Sequence, residues 1–164
     1  MIKKIFVSSS GIKIRNLEHN ISYLANNGIK NIELSGGCVY GTNILTKLKK
    51  LKKKYNLEFM VHNYFPPPKN NFVLNLGSCN DLHYNKTIEF YKKAIDLCRE
   101  IGVKHYGMHA GFLIDLKTSE LNNKIKKRDL YIRKDSIKKV IQGYGLLKKY
   151  SQGKVKLYLE NNVI

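Results

Sequence analysis

Leu97-Cys98-Arg99-Glu100-Ile101-Gly102-Val103-Lys104-His105-Tyr106-Gly107-Met108-His109 contains a helix end, a glycine stop and a short strand that finishes on a polar residue. Upstream, Ile88, Tyr91, Ile95, Cys98 and Ile101 recur by three and four, the spacing of one helical face. That face predicts a long helix that Asn80 or Asp81 can cap and Gly102 ends. Val103 to His109 then reads as a strand, because it is too short for a helix and is bounded by a glycine and the Ala110-Gly111 loop.

The same unit repeats on both sides. Ile2 to Val7 reads as a first buried strand, and Leu17 to Asn27 as a helix with Leu17, Ile21, Leu24 and Ala25 on one face, Asn16 as its cap and Gly28 as its stop. Ile29 to Leu34 follows as a strand closed by Ser35-Gly36-Gly37, and Asn43 to Tyr55 as a helix. Leu57 to His62 is the third strand. The connection after it contains Pro66-Pro67-Pro68, which cannot be helix or inner strand because proline lacks the N–H and fixes φ. Beyond His109 lies a polar stretch from Lys117 to Lys127, then a helix from Leu130 to Tyr150 carrying Ile137, Val140, Ile141 and Leu147. Lys154 to Glu160 is the fifth strand. Short apolar strands alternating with amphipathic helices predict one α/β domain over residues 1–164, a parallel sheet covered by helices. It can be an open doubly wound sheet or a (β/α) barrel. No GxGxxG follows the first strand, which removes the main support for a dinucleotide fold, and Ser35-Gly36-Gly37 lacks the lysine of a phosphate-cradling loop.

Composition narrows the function classes. The 164 residues are 43% hydrophobic and 26% charged, ordinary for a globular domain. No apolar run approaches the roughly 20 residues of a membrane span, and the apolar start is too short for a signal peptide. The expected location is the cytoplasm, where Cys38, Cys79 and Cys98 remain reduced. They form no CxxC pair; Cys98 reads as core, and Cys38 lies near a strand end without a catalytic signature. The net charge of +18 is spread along the chain. Its densest run, Lys47 to Lys54, interleaves with Leu45, Leu48 and Leu51 and reads as the solvated face of a helix. A polyanion-binding surface is the alternative.

Side chains within parallel strands are ordinarily apolar on both faces, so polar residues at strand ends draw attention to that rim. Ser8 to Ser10 follow strand one, Glu33 lies in strand two, and His62, His109 and Glu160 end strands three, four and five. Two imidazoles and a carboxylate converging from successive strands suit a divalent ion such as Zn²⁺ or Mn²⁺. Glu33 is either a pocket wall or a partner for a covering helix. His19, His83 and His105 read as structural, although His105 points the same way as His109.

At these residues the sequence resembles the xylose-isomerase-like barrel superfamily, which includes sugar-phosphate isomerases and epimerases and the endonuclease IV type of abasic-site nuclease (AP endonuclease family 2). The matching pieces are Val61-His62-Asn63-Tyr64 with Phe72 to Ser78, Gly107-Met108-His109-Ala110-Gly111, and Leu157-Tyr158-Leu159-Glu160-Asn161-Asn162. The resemblance implies a partial TIM-barrel fold of five parallel strands and about four helices. It implies a divalent metal (Zn, Mn or Mg) on His62, His109 and Glu160, with Glu160 and His109 in catalysis and His62, Asn75 and Asn161 at the substrate; Glu33, by its place in strand two, is a further candidate at the substrate. Pro66-Pro67-Pro68 and the short glycine-rich loop after strand two depart from the nucleases. They point to a small sugar or sugar-phosphate substrate ahead of nucleic acid. The implied reaction is isomerisation or epimerisation, the metal chelating adjacent oxygens and stabilising the enediolate as a base removes the α-proton. Abasic-site phosphodiester cleavage and a non-catalytic partial barrel are the alternatives.

The superfamily draws further ligands from strands six to eight, and these residues hold five. A closed barrel needs about eight. The chain is therefore expected to be a fragment, a truncated product or a half-barrel, and open sheet edges invite a homo-oligomer.

Overall fold

The computed structural model describes residues 4–121, 123–125 and 127–161. Five strands, β1 (Val7–Ser8), β2 (Asn31–Leu34), β3 (Glu58–His62), β4 (His105–His109) and β5 (Lys156–Glu160), form one sheet. Four α-helices separate them: α1 (Leu17–Asn26), α2 (Ile44–Tyr55), α3 (Asp81–Glu100) and α4 (Arg133–Ser151). The strands lie side by side in chain order and every neighbouring pair is parallel. A doubly wound sheet reverses its strand order at a switch point; a sheet that advances by one strand at each step is an arc of a (β/α) barrel.

Alternation along the strands sorts residues between two faces. Ile32, Leu34, Val61, Tyr106 and Met108 are fully buried against the helices. They pack with Ile21 of α1, Leu48 of α2, Tyr91, Ile95 and Cys98 of α3 and Leu147 of α4 in one continuous core. Burying each of these side chains stabilises the fold by about 2 kcal/mol. The concave face is polar: Asn31 pairs in register with Glu58, Glu33 with Met60, His62 with Gly107, and His109 with Glu160.

Local chemistry sets the element ends. Asn16 accepts a hydrogen bond from the backbone N–H of His19, and Asn80 one from His83, each satisfying an otherwise orphaned helix donor. Along α2, Leu48 and Leu51 face inward. Its lysines reach outward to Glu18 from Lys47, to Glu100 from Lys49 and to the Ile101 carbonyl from Lys52. The dense lysine run is thus the outer face of an amphipathic helix.

Two elements differ from the sequence reading. The first strand pairs only at Val7 and Ser8; Ile5 is 81% exposed and Lys4 forms an ion pair with Glu58. Met1, Ile2 and Lys3 lie outside the described residues. The last helix starts at Arg133 rather than Leu130, because the residues before it are tied to the loop after β4. The Tyr131 N–H donates to the Leu113 carbonyl and its hydroxyl to Asp115. Ile137 and Ile141, expected in the core, are exposed. Ser136, Gly143, Leu147 and Ser151 face inward instead. A Cβ on Gly143 would stand 3.0 Å from Leu76 Cδ2 and from the Tyr84 hydroxyl, so the glycine lets α4 lie close on α3.

The loops after β3 and β4 are joined through Asn75, which is completely buried. Its Nδ2 donates to the Ile114 carbonyl and to Asp115 Oδ1, and its Oδ1 accepts from the N–H groups of Gly77 and Phe112. Asp115 also accepts from Ser78 and Tyr131, while Arg128 donates to the Asp115 carbonyl and pairs with Glu120 at 2.6 Å. Asn75→Ala strands several buried groups, each worth about 1–3 kcal/mol. It should lower unfolding stability in urea by about 3 kcal/mol and open the loop after β4 to limited proteolysis. An unchanged unfolding midpoint would contradict this account of the loops.

Candidate metal centre

Three neighbouring strands bring three side chains to one point. His62 ends β3, His109 ends β4 and Glu160 ends β5. The Glu160 carboxylate oxygen Oε2 lies 3.3 Å from His62 Nε2 and 3.8 Å from His109 Nε2. The two imidazole rings are 5.3 Å apart, edge to face. One ligand atom from each residue falls within 4.8 Å of the others. Donors held about 2.1 Å from a tetrahedral ion stand about 3.4 Å from one another, so the carboxylate and His62 are already spaced for one. His109 closes the set by a modest side-chain movement.

The environment suits such an ion. His62 and His109 are mostly covered, whereas the Glu160 side chain is 55% exposed and opens the group to solvent. Burial, and next the neighbouring His62, lower the His109 pKa from its ordinary value, against a smaller upward pull from Glu160. The ring is therefore neutral at pH 7, the form that binds metals. Two imidazoles and one carboxylate, open to solvent on the Glu160 side, are a donor set that could hold a divalent ion such as zinc or manganese.

Gly107 is central to this arrangement and was not among the residues singled out from the sequence. A Cβ there would lie 2.6 Å from His62 Cδ2, inside any tolerable contact. The His62 ring lies across the β4 backbone at Gly107 and so reaches Glu160 on β5. A glycine inside a strand signals such a close approach. Tyr91 contributes from beneath, its hydroxyl 2.9 Å from Asn63 Oδ1 and 3.4 Å from the His109 carbonyl. Asp115, Tyr131 and Arg128, which hold the neighbouring loop, sit in a polar stretch without periodicity and carry no sequence signal.

The other expected residues fall in distinct places. Glu33 is half-buried and lies on the concave face, one row below the triad, since its register partner Met60 precedes His62 by two. Asn161 is exposed beside Glu160, and Asn162 lies outside the described residues. Asn75, expected at the substrate, has all four of its hydrogen-bonding positions committed to the loops, which leaves none for a ligand. His105 shares the concave face and tilts against Tyr158 at 5.7 Å. His83 donates from Nε2 to the Val73 carbonyl. Cys98 is core, its thiol pushed up to about 12 by burial. Burial also raises the Cys38 thiol and so keeps it protonated.

A parallel sheet advancing strand by strand, with two histidines and a glutamate gathered at its carboxyl rim, defines a (β/α)-barrel type of fold. The chain belongs to the xylose isomerase-like TIM barrel family, whose model matches residues 21–162. Among solved structures it is similar to a D-tagatose 3-epimerase-like protein (TM-score 0.67, 20% identity, covering 94% of this chain and 51% of that one). It is also similar to an L-ribulose 3-epimerase (TM-score 0.67, 14% identity, 96% and 49%). A third is the IolI protein with a binding zinc atom (TM-score 0.65, 13% identity, 97% and 51%). At these identities the likeness is one of fold. The chain thus spans about half of a barrel. Among curated proteins, a probable endonuclease 4 of Thermotoga petrophila is 30% identical over 69 residues, covering 42% of this chain and 23% of the relative.

Gly107→Ala should weaken Mn²⁺ or Zn²⁺ binding at least tenfold by pushing the His62 ring off Glu160. Gly145→Ala, where an added Cβ meets nothing within 4 Å, should leave it unchanged. Equal metal affinity in the two variants, measured by calorimetry, would refute the role given to Gly107.

Proposed function

We infer that this chain contributes half of the active site of a metal-dependent sugar isomerase or epimerase. The observation that carries the reading is the convergence of His62, His109 and Glu160 on one point at the carboxyl rim of the sheet. The family match and the epimerases among its structural neighbours support the substrate class. The zinc-bearing neighbour supports the choice of ion.

His62, His109 and Glu160 would hold the ion. When bound, a divalent cation supplies positive charge that stabilises the oxygens of a hydroxy-carbonyl sugar as the proton between them is lost. Through the ion or directly, His62 and His109 would position substrate oxygens at the rim. Glu160 is the exposed carboxylate of the three and is placed to accept or return a proton at the α-carbon. Glu33, with no ion pair among the described residues, lines the concave wall below. Asn161 extends the rim beside Glu160. The whole sequence is taken as one partial-barrel domain, with the remaining wall of the barrel supplied by further strands or by another subunit across the open edges. The thiols Cys38, Cys79 and Cys98 are unpaired, which supports a reducing, cytoplasmic location; among the described residues no helix is long and apolar enough to cross a membrane.

A second reading, metal-dependent cleavage of abasic DNA, is favoured by the 30% identity to a probable endonuclease 4 and by the +18 charge. The test runs both. With the remaining wall of the barrel supplied and Mn²⁺ in D₂O, a panel of ketoses and their phosphates should incorporate deuterium at the α-carbon. Glu160→Gln and His109→Ala should each lower that exchange by at least a hundredfold. Failure of the chain to bind any divalent ion would overturn both readings, while cleavage of an abasic duplex without sugar exchange would replace the first by the second.

A further inference from the structure

The sheet ties His109 and Glu160 closely to each other and His62 only briefly to both. β4 and β5 pair over five positions, ending with His109 beside Glu160, and the Ala110 N–H donates to the Glu160 carbonyl at 2.9 Å beyond them. β2 and β3 pair over four. Between β3 and β4 the register covers two positions, Val61 with Tyr106 and His62 with Gly107, and it stops short of His109. Tyr64 then takes a left-handed backbone, φ 58°, which a bulky residue adopts only when its surroundings impose it. The chain leaves the sheet there.

A buried side-chain contact spans this short seam. Asn63 follows His62 and, by alternation, points to the helix-packed face, where it is 2% exposed. Tyr91 of α3 meets it there, fully buried. The Tyr91 hydroxyl lies 2.9 Å from Asn63 Oδ1 and 3.4 Å from the His109 carbonyl. One group therefore touches the residue after His62 and the backbone of His109, beyond the last paired positions of the two strands. The Tyr91 ring also packs edge to face on Tyr106 of β4, centroids 6.0 Å apart, which fixes it against the same strand. A core position serving packing alone would favour an apolar side chain, because a buried amide or hydroxyl is costly unless it is bonded. Asn63 is kept despite that cost: its Nδ2 has no hydrogen-bond partner among the described residues.

We propose that Asn63 and Tyr91 are positioning residues for the metal centre: their buried hydrogen bond ties the end of β3 to the end of β4 and sets the separation of the His62 and His109 rings. The proposal rests on the metal-site reading above and adds what keeps His62 in place. Gly107 makes room for the His62 ring; the Asn63–Tyr91 pair fixes the backbone from which that ring extends.

Calorimetry of the full chain with Zn²⁺ tests this on the double variant Asn63→Leu with Tyr91→Phe, which removes both partners together and leaves neither stranded. Its urea unfolding midpoint should match or exceed that of the unaltered chain. Its Zn²⁺ affinity should fall at least tenfold, and the zinc-edge absorption spectrum should count one imidazole instead of two. Tyr84→Phe, which removes a hydroxyl bound to the Lys139 carbonyl from the same helix, should keep full affinity and both imidazoles. Without metal, amide hydrogens over residues 60–64 should exchange at least tenfold faster in the double variant, while those over 156–160 stay as slow as before. That readout needs no ion, so the two failures are distinguishable: a chain that binds no Zn²⁺ overturns the metal reading, and unchanged exchange over 60–64 overturns the tie between the strands. Zn²⁺ affinity that is unchanged in the double variant, or that falls only in step with its unfolding midpoint, would also overturn the proposal.

Discussion

The register that sets His62 beside Gly107 and His109 beside Glu160 is the constraint from which the rest of the structure follows. In a parallel sheet the side-chain period is two, so a one-residue slip would turn each of these side chains from the concave face into the helix-packed core. The apolar set prevents that slip. Val61, Tyr106 and Met108 are fully buried on the opposite face, and moving any of them outward would cost about 2 kcal/mol or more. The same residues that make the core thus aim the two imidazoles and the carboxylate. Gly107 completes the arrangement, because only a missing side chain lets one ring reach across a whole strand.

Burial and openness are divided between the two faces of the sheet. The helix side is dry and continuous from α1 to α4. The concave side carries Asn31, Glu33, Glu58 and Lys156 alongside His62, His109 and Glu160. β1 and β5 each have one strand neighbour among the described residues. Tyr158 and Leu159 of β5, together with Ile137 and Ile141 of α4, remain exposed on that flank. The solved barrels to which the chain is similar are about twice its length, and in a closed barrel this flank meets the next strand and helix.

Much of this is legible in the residues themselves. The three-and-four spacing of Ile88, Tyr91, Ile95 and Cys98 gives α3, and Asn16 and Asn80 act as the caps their side chains predict, because helix periodicity and capping are local. The strand-end polar residues stand out against apolar runs, which makes His62, His109 and Glu160 visible as a set. What escapes is non-local. Ile5 reads as core by its chemistry, yet no strand reaches it. Ile137 and Ile141 share a helical stripe, yet Gly143 decides which face of α4 meets α3. Asn75 looks like a ligand because it lies in a strand-three motif, but the Asp115 loop, 40 residues on, consumes its hydrogen-bonding capacity. Gly107 was readable in principle, since a glycine inside a strand marks a close approach.

X-ray absorption at the zinc edge of the Zn²⁺-loaded chain tests the central claim most directly. A single bound ion should show two imidazole nitrogens and low-Z oxygen neighbours at about 2.0–2.1 Å, with one imidazole lost from the spectrum in His109→Ala. A first shell containing sulfur, or a spectrum unchanged by His109→Ala, would contradict it.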